Sequence, residues 1–329
     1  MYRLSALASV ALKIETDFRR ILKVKMSSIV RMTALSEKTQ NNYKKALARL
    51  SAGLGHERWD DTEAITKYIT GLTVGASAKK SYYCAVMSAP EIPITQSSRE
   101  AYAKEVKKLA ESLYEVAKKQ ELTEKEEAKY VPWADVLAVR DKMKPETPDD
   151  FFAYQDWIIL CLYTMMPPLR ADYAPLLCYS KKQSRKPPLA NYIVFTKKPH
   201  IVLKQYKTQK TFGDVVIPVP PVLAGYLEEF WELTGRNEGL PLLWNTLQEE
   251  MSEDNLSERV ISIFQKQVQK KCGISMLRHS YITMMRSGKE LTYNEKEALA
   301  RSMLHSTLMN ELYRRPDAPE GDIPENEKN

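Results

Sequence analysis

The chain has 329 residues, 43% hydrophobic and 28% charged, with a net charge of +7. That composition is ordinary for a soluble globular protein of about two domains. No apolar run is long enough to span a bilayer, and four scattered cysteines (Cys84, Cys161, Cys178, Cys272) form neither a CxxC pair nor a disulfide framework.

The charge is uneven. The last fourteen residues, Pro316 to Asn329, carry five acidic groups and one lysine, which leaves 48 basic against 37 acidic residues, or +11, on the rest. A basic body with an acidic tail suits a polyanion such as nucleic acid. The cysteines suit small core positions in a reducing compartment.

In chain order, residues 1–34 suggest an extended or disordered N-terminal arm. Met1 to Leu12 has a faint presequence look, but Glu15 and Asp17 follow too soon. Ser36 is placed to cap a helix over Glu37 to Leu50, with Tyr43, Ala46, Leu47 and Leu50 on one face. Asp61 to Leu72 and Ala78 to Met87 suggest two more helices. Ser97 or Ser98 opens a long fourth helix to about Lys119, with Val106, Leu109, Leu113 and Val116 as the expected buried stripe. The outer faces of these helices carry lysines, and Lys44, Lys45, Lys79, Lys80, Lys107 and Lys108 are the candidate DNA contacts. A solvated helix face explains such lysines equally well.

The stretch Glu121 to Lys129 alternates Glu and Lys, and Pro132-Trp133 starts a new pattern. The expected division is therefore a helical domain over 35–127, a second domain over 128–315 and an acidic tail over 316–329. The second domain opens with helices at Ala134 to Lys144 and Asp149 to Met165. Tyr192 to Phe195, Ile201 to Gln205 and Val215 to Val219 are short β-branched runs that suit three strands. Helices follow at Val222 to Thr234, Asn255 to Lys270, Ser275 to Arg286, Asn294 to Met303 and Thr307 to Arg314. The expected class is mostly α with a small antiparallel sheet.

Five pieces occur in one order: Pro168-Leu-Arg170-Ala-Asp-Tyr, Gln205-Tyr-Lys207-Thr-Gln-Lys210, Met276-Leu-Arg278-His-Ser-Tyr-Ile-Thr283, Met303-Leu-His305-Ser and Tyr313-Arg-Arg. The chemistry they allow is coherent. A phenol with pKa near 10 is a poor nucleophile at pH 7 and needs a polarised target. Two guanidinium groups neutralise a phosphodiester and stabilise the charge of its five-coordinate transition state, with paired donors that lysine cannot copy. A lysine on a turn can protonate the departing 5′ oxygen. Arg278, placed in the first turn of its helix, would add free backbone N–H groups. Tyr281 and Tyr293 are other phenols nearby, read as structural.

Order and spacing together resemble the tyrosine recombinase and integrase family over about residues 130–315. The helical part before it is similar to that family's core-binding domain in a general way. The resemblance implies catalytic roles for Arg170, Lys207, Arg278, His305 and Tyr313, with Lys210 the alternative to Lys207. It implies a 3′-phosphotyrosine intermediate and needs no cofactor or ATP. Nothing clusters carboxylates as a two-metal nuclease does, so no metal is expected. The expected partner is double-stranded DNA, bound by a homo-tetramer on synapsed sites and a monomer or dimer when free, with no membrane. The expected setting is intracellular, at DNA, in integration or excision of a mobile element or viral genome.

The sequence departs from the family's pattern in three places. Ser275 stands where a histidine or lysine is usual; it is a good N-cap but a poor proton carrier, and His279 is the candidate to compensate. Tyr313 follows His305 by eight positions, one fewer than usual, which turns a helical side chain by about 100°. Tyr173 stands where an acidic residue often buttresses the site, so Asp172 is assigned that support. The tail is too short, acidic and proline-broken for a long helix exchanged between subunits; a strand or peptide docking in trans stays open. A type IB topoisomerase or telomere resolvase uses similar residues, and a catalytically silent DNA-binding relative is the alternative from another class.

Overall fold

A computed structural model describes residues 35–88, 94–147, 150–180, 189–288 and 290–319. The expected N-terminal arm and most of the expected acidic tail lie outside them. The chain divides between Lys119 and Gln120 into two compact units.

In the first unit, α1 (Glu37–Leu54) starts at Ser36, whose hydroxyl accepts the Thr39 N–H, and stops at Gly55, which takes the left-handed conformation at φ 69°. Helices α2 (Thr62–Gly71), α3 (Ala76–Ser88) and α4 (Gln96–Lys118) follow. The cap of α4 is Thr95, not Ser97 or Ser98: its hydroxyl accepts the Ser98 N–H. The buried stripe of α4 is also rotated from the expected one. Tyr102, Ala110 and Tyr114 face inward and Val116 is 52% exposed. Tyr102 takes the core because its hydroxyl donates to the Trp59 carbonyl at 2.5 Å while its ring packs on Tyr83. Around them lie Leu50, Trp59, Ile65, Ile69, Tyr82, Tyr83 and Val86. Tyr102→Phe deletes that buried donor, and urea unfolding should show a loss of about 1–2 kcal/mol; an unchanged midpoint would mean the bond contributes nothing.

The second unit begins earlier than the change of pattern near residue 128 suggests. The charged stretch belongs to it, because α5 (Glu124–Glu127) is closed by a capping box between Thr123 and Glu126, and Glu126 is ion-paired to Arg315 at 3.1 Å. Helix α6 (Trp133–Lys142) leads to α7 (Phe151–Thr164), capped by Asp150. From Tyr154 to Tyr163 every residue of α7 is buried, so this is the central helix; its two polar residues are partnered, Asp156 by Arg259 and Gln155 by the Trp244 backbone.

Around α7 lies a four-stranded sheet in sequence order: β1 (Leu177–Ser180), β2 (Tyr192–Phe195), β3 (His200–Leu203) and β4 (Val215–Pro218). The sheet is mixed rather than antiparallel. β1 runs parallel to β2, and the other two pairings are antiparallel. β1 has no apolar run to announce it: only Cys178 of its four residues is buried. One face of the sheet places Ile193, Phe195, Ile201 and Leu203 in the main core. The other gathers Tyr192, Val194 and Val202. A single helical turn, α8 (Gln209–Phe212), interrupts the connection from β3 to β4.

Helices α9 (Pro221–Leu233), α10 (Glu253–Val268), α11 (Ile274–Met285), α12 (Tyr293–Ser302) and α13 (Thr307–Tyr313) complete the unit. The protein is thus mostly helical with a small mixed sheet. Cys161, Cys178 and Cys272 are buried and Cys84 is half-buried, all as free thiols. Among the described residues no helix is long and apolar enough to cross a membrane.

Candidate active site

Four separate segments of the second unit converge. Arg170 follows the end of α7, held by the Tyr163 hydroxyl, which donates to its carbonyl at 2.7 Å. The next residues form a 3-10 turn, Ala171–Tyr173, in which Asp172 is buried and accepts the Arg170 main-chain N–H at 3.2 Å. Burial raises the Asp172 carboxyl above its usual range, against the pull of Arg170 and Arg278. Tyr173 is buried with its ring edge-on to Tyr163.

Arg278 is the fifth residue of α11, so it lies beyond the first turn and its backbone is not among the free N–H groups. Its side chain is only 2% exposed. Nη2 donates to the Met303 carbonyl at 3.1 Å and to His305 Nε2. Burial, and then the neighbouring Arg170, push its pKa down to about 10. The cap of α11 is Gly273, and Ser275 sits exposed in the first turn, not at the cap.

His305 is placed by an unusual backbone. Leu304 holds a left-handed conformation, φ 51°, which directs the His305 N–H to the Ala300 carbonyl at 2.8 Å and ends α12. The same turn aims the Leu304 carbonyl at two donors from elsewhere: Arg170 Nη1 at 3.4 Å and Thr208 Oγ1 at 3.2 Å. Leucine is disfavoured there by roughly 1 kcal/mol or more. Nothing in the Met303-Leu-His305-Ser motif announces this joint. Thr208 is the neighbour of Lys207, so the turn carrying that lysine is tied to the histidine segment. Lys207 is exposed, yet close enough for its charge to act on His305. Lys210 is exposed on α8.

Tyr313 ends α13 with its ring between two imidazoles. His305 stacks on it, centroids 4.8 Å apart at 20°, and His279 meets it edge-on at 4.2 Å and 89°. The Arg278 guanidinium carbon lies 5.8 Å from the Tyr313 ring centroid. The short spacing from His305 is absorbed by Ser306, which caps α13 and sets its own helical phase. His279 does more than pack locally: Nδ1 donates to the Tyr313 carbonyl at 2.7 Å. The other phenols differ. Tyr281 packs on Trp133 at 5.1 Å, and burial lifts its pKa to about 12. Tyr293 opens α12 and is exposed.

The electrostatics favour an incoming anion. A guanidinium only donates, so His305 Nε2 accepts and its proton sits on Nδ1. Burial and the charge of Arg278 push the His305 pKa far down. Among the described residues, neither His305 Nδ1 nor Arg278 Nε has a hydrogen-bond partner. The free Nε–H of Arg278 and the Nδ1–H of His305, with the Arg170 guanidinium nearby, make a receptor for an oxyanion.

His279 is neutral for the same reason: burial, then Arg315, lower its pKa to about 4. The unfolded chain, with pKa near 6.5, then binds more protons between about pH 4 and 6.5, so stability falls as pH drops through that window. Denaturant unfolding at pH 7 and pH 5 should show the fall. His279→Asn, which keeps a donor near Nδ1 and cannot titrate, should reduce it; an unaltered pH slope would sink this assignment.

On the first unit, Lys44, Lys45, Lys107 and Lys108 are exposed. Lys107 lies 3.9 Å from Glu111. Lys79 and Lys80 are half-buried, and the Lys79 ammonium donates to the Thr70 carbonyl at 2.6 Å. Sequence inspection missed the Leu304 carbonyl, Thr208, and the ion pairs that flank Tyr313 described below.

No protein-family model and no curated protein matches the sequence. A solved structure titled as that of XerA recombinase aligns over 95% of this chain and 95% of its own, at 12% identity and a TM-score of 0.39.

Proposed function

We propose that the chain cuts and rejoins DNA through a covalent link between Tyr313 and a DNA phosphate. The observation that supports this best is the pair of unpartnered buried donors, Arg278 Nε and His305 Nδ1, beside a phenol-bearing ring. A phosphodiester offers the oxygens they lack. Arg170 and Arg278 would clamp them and stabilise the charge of the transition state. The Tyr313 hydroxyl gives up its proton to solvent water as its oxygen bonds to phosphorus and the bond to the 5′ oxygen breaks, and that 5′ oxygen takes a proton from Lys207. The product is a 3′-phosphotyrosine and a free 5′-hydroxyl. Attack by a 5′-hydroxyl of another strand reseals the DNA, and the conserved bond energy makes ATP unnecessary. His305 donates to the phosphate from Nδ1, and His279 holds Tyr313 by its carbonyl.

The finer reading is strand exchange between two duplexes by four copies, in integration or excision. Exposed lysines on the first unit would add phosphate contacts, so binding should weaken steeply with salt. A suicide duplex, nicked so that the cut fragment diffuses away, tests the chemistry. A covalent protein–DNA adduct mapped by mass spectrometry to Tyr313 is expected. Tight binding to cognate DNA without an adduct would make the chain a DNA-binding relative instead. Relaxation of supercoiled plasmid by single copies would favour the topoisomerase.

A further inference from the structure

We propose that ion pairs on either side of Tyr313, Glu311 with Arg286 and Lys296 before it and Arg315 with Glu126 after it, latch the nucleophile into the pocket of its own chain. The proposal rests on the covalent chemistry above and deepens it.

Helix α13 has seven residues, too few to be stable alone in water. Its apolar attachment is small: Tyr313 packs at the edge of a minor cluster of Ile282, Leu299 and Met303, and Met309 is partly exposed. Polar contacts do most of the holding. The Glu311 carboxylate lies 2.7 Å from Arg286 and 3.4 Å from Lys296, and its carbonyl accepts Gln120 Nε2 at 2.5 Å. Two residues beyond Tyr313, the Arg315 guanidinium donates to Glu126 at 3.1 Å and to the Leu312 carbonyl at 2.7 Å. The Arg315 main-chain N–H donates to Thr283 Oγ1 at 3.0 Å. Ala318 then enters the main core. Arg286 and Arg315 are buried and their carboxylate partners half-buried, so salt screens these pairs less than pairs on an open surface.

Two of the anchors, Thr283 and Arg286, belong to α11 or its end, as do Arg278 and His279, while Lys296 lies on α12 and Glu126 on α5. The element that seats Arg278 therefore also helps set the height of the attacking oxygen. Glu126, Arg286, Lys296, Glu311 and Arg315 are the latch. These are positioning residues: none of them touches the reacting atoms.

The test uses the full chain and the nicked duplex, with hydrogen exchange of the 307–315 peptide measured in the free protein. Glu311→Gln is expected to raise that exchange at least about tenfold and to slow adduct formation at saturating DNA by a similar factor, without weakening DNA binding. Glu311→Asp, which keeps a carboxylate for Arg286 and Lys296, should raise exchange and slow the adduct much less than Glu311→Gln. A mixture of Tyr313→Phe and Arg278→Ala copies should form no adduct; adduct from that mixture means delivery between chains and overturns the proposal. Unchanged exchange, or raised exchange with an unchanged rate, overturns it too. If the unaltered chain forms no adduct, the covalent function itself fails. If it does and the latch variants match it, the latch alone fails.

Discussion

Arg278→Lys is expected to slow adduct formation by about 100- to 1,000-fold, the cost of one oriented donor at a charged transition state. Charge is kept in this variant, so the effect isolates geometry. In the structure Nη2 serves the Met303 carbonyl and His305, while Nε is left for a ligand. A guanidinium does both at once because its donors sit on a rigid plane. One ammonium nitrogen cannot reach the carbonyl, the imidazole and a phosphate oxygen together. The same burial and the same Arg170 that lower the Arg278 pKa would act on a lysine, whose pKa starts lower. The residual rate should therefore fall as pH rises, at a pH where the arginine protein is unaffected. Single-turnover rates between pH 7 and 10 measure this. A rate within threefold of the original would remove Arg278 from the chemistry.

Tyr313→Phe is expected to abolish the adduct while leaving the fold and DNA affinity intact. Its ring contacts with His279 and His305 need only the phenyl face, and its carbonyl still accepts from His279. Only the hydroxyl is lost, and with it the oxygen proposed to form the ester. Adduct yield, unfolding midpoint and a gel-shift titration check the three statements separately. Persistent adduct would transfer the nucleophile to another residue, with Tyr281 a poor candidate because it is buried against Trp133.

Strong local signals made much of this legible in advance. Ser36 announced a helix start, because a side-chain oxygen that accepts an N–H three residues on acts within one turn. The helices around Arg278 and His305 lie within a residue of the ranges expected for them. The features that failed depend on contacts distant in sequence. Val116 looked like part of a stripe, but Tyr102 found a partner in Trp59, forty-three residues earlier, and turned α4. β1 has one buried residue in four, and its parallel neighbour is fixed by pairing rather than by composition. Arg278 and Arg170 were recognisable by type and order. That Asp172 is buried beside them, and that Thr208 and Arg170 share a carbonyl, are tertiary facts. Ser275 looked like a cap and is not, because Gly273 starts the helix two residues sooner.

The joint at Leu304 has a consequence for how this centre tolerates change. What it offers to Arg170 and Thr208 is a main-chain oxygen, which every amino acid at that position would also possess. Ordinary point substitution cannot delete the acceptor; it can only alter how willingly the chain bends there. Glycine would ease the bend but leave a void where leucine is packed, and a β-branched residue would resist it. Drift at this position should therefore change the tempo of the chemistry, by loosening or stiffening one hinge point, before it changes the list of groups that carry it out.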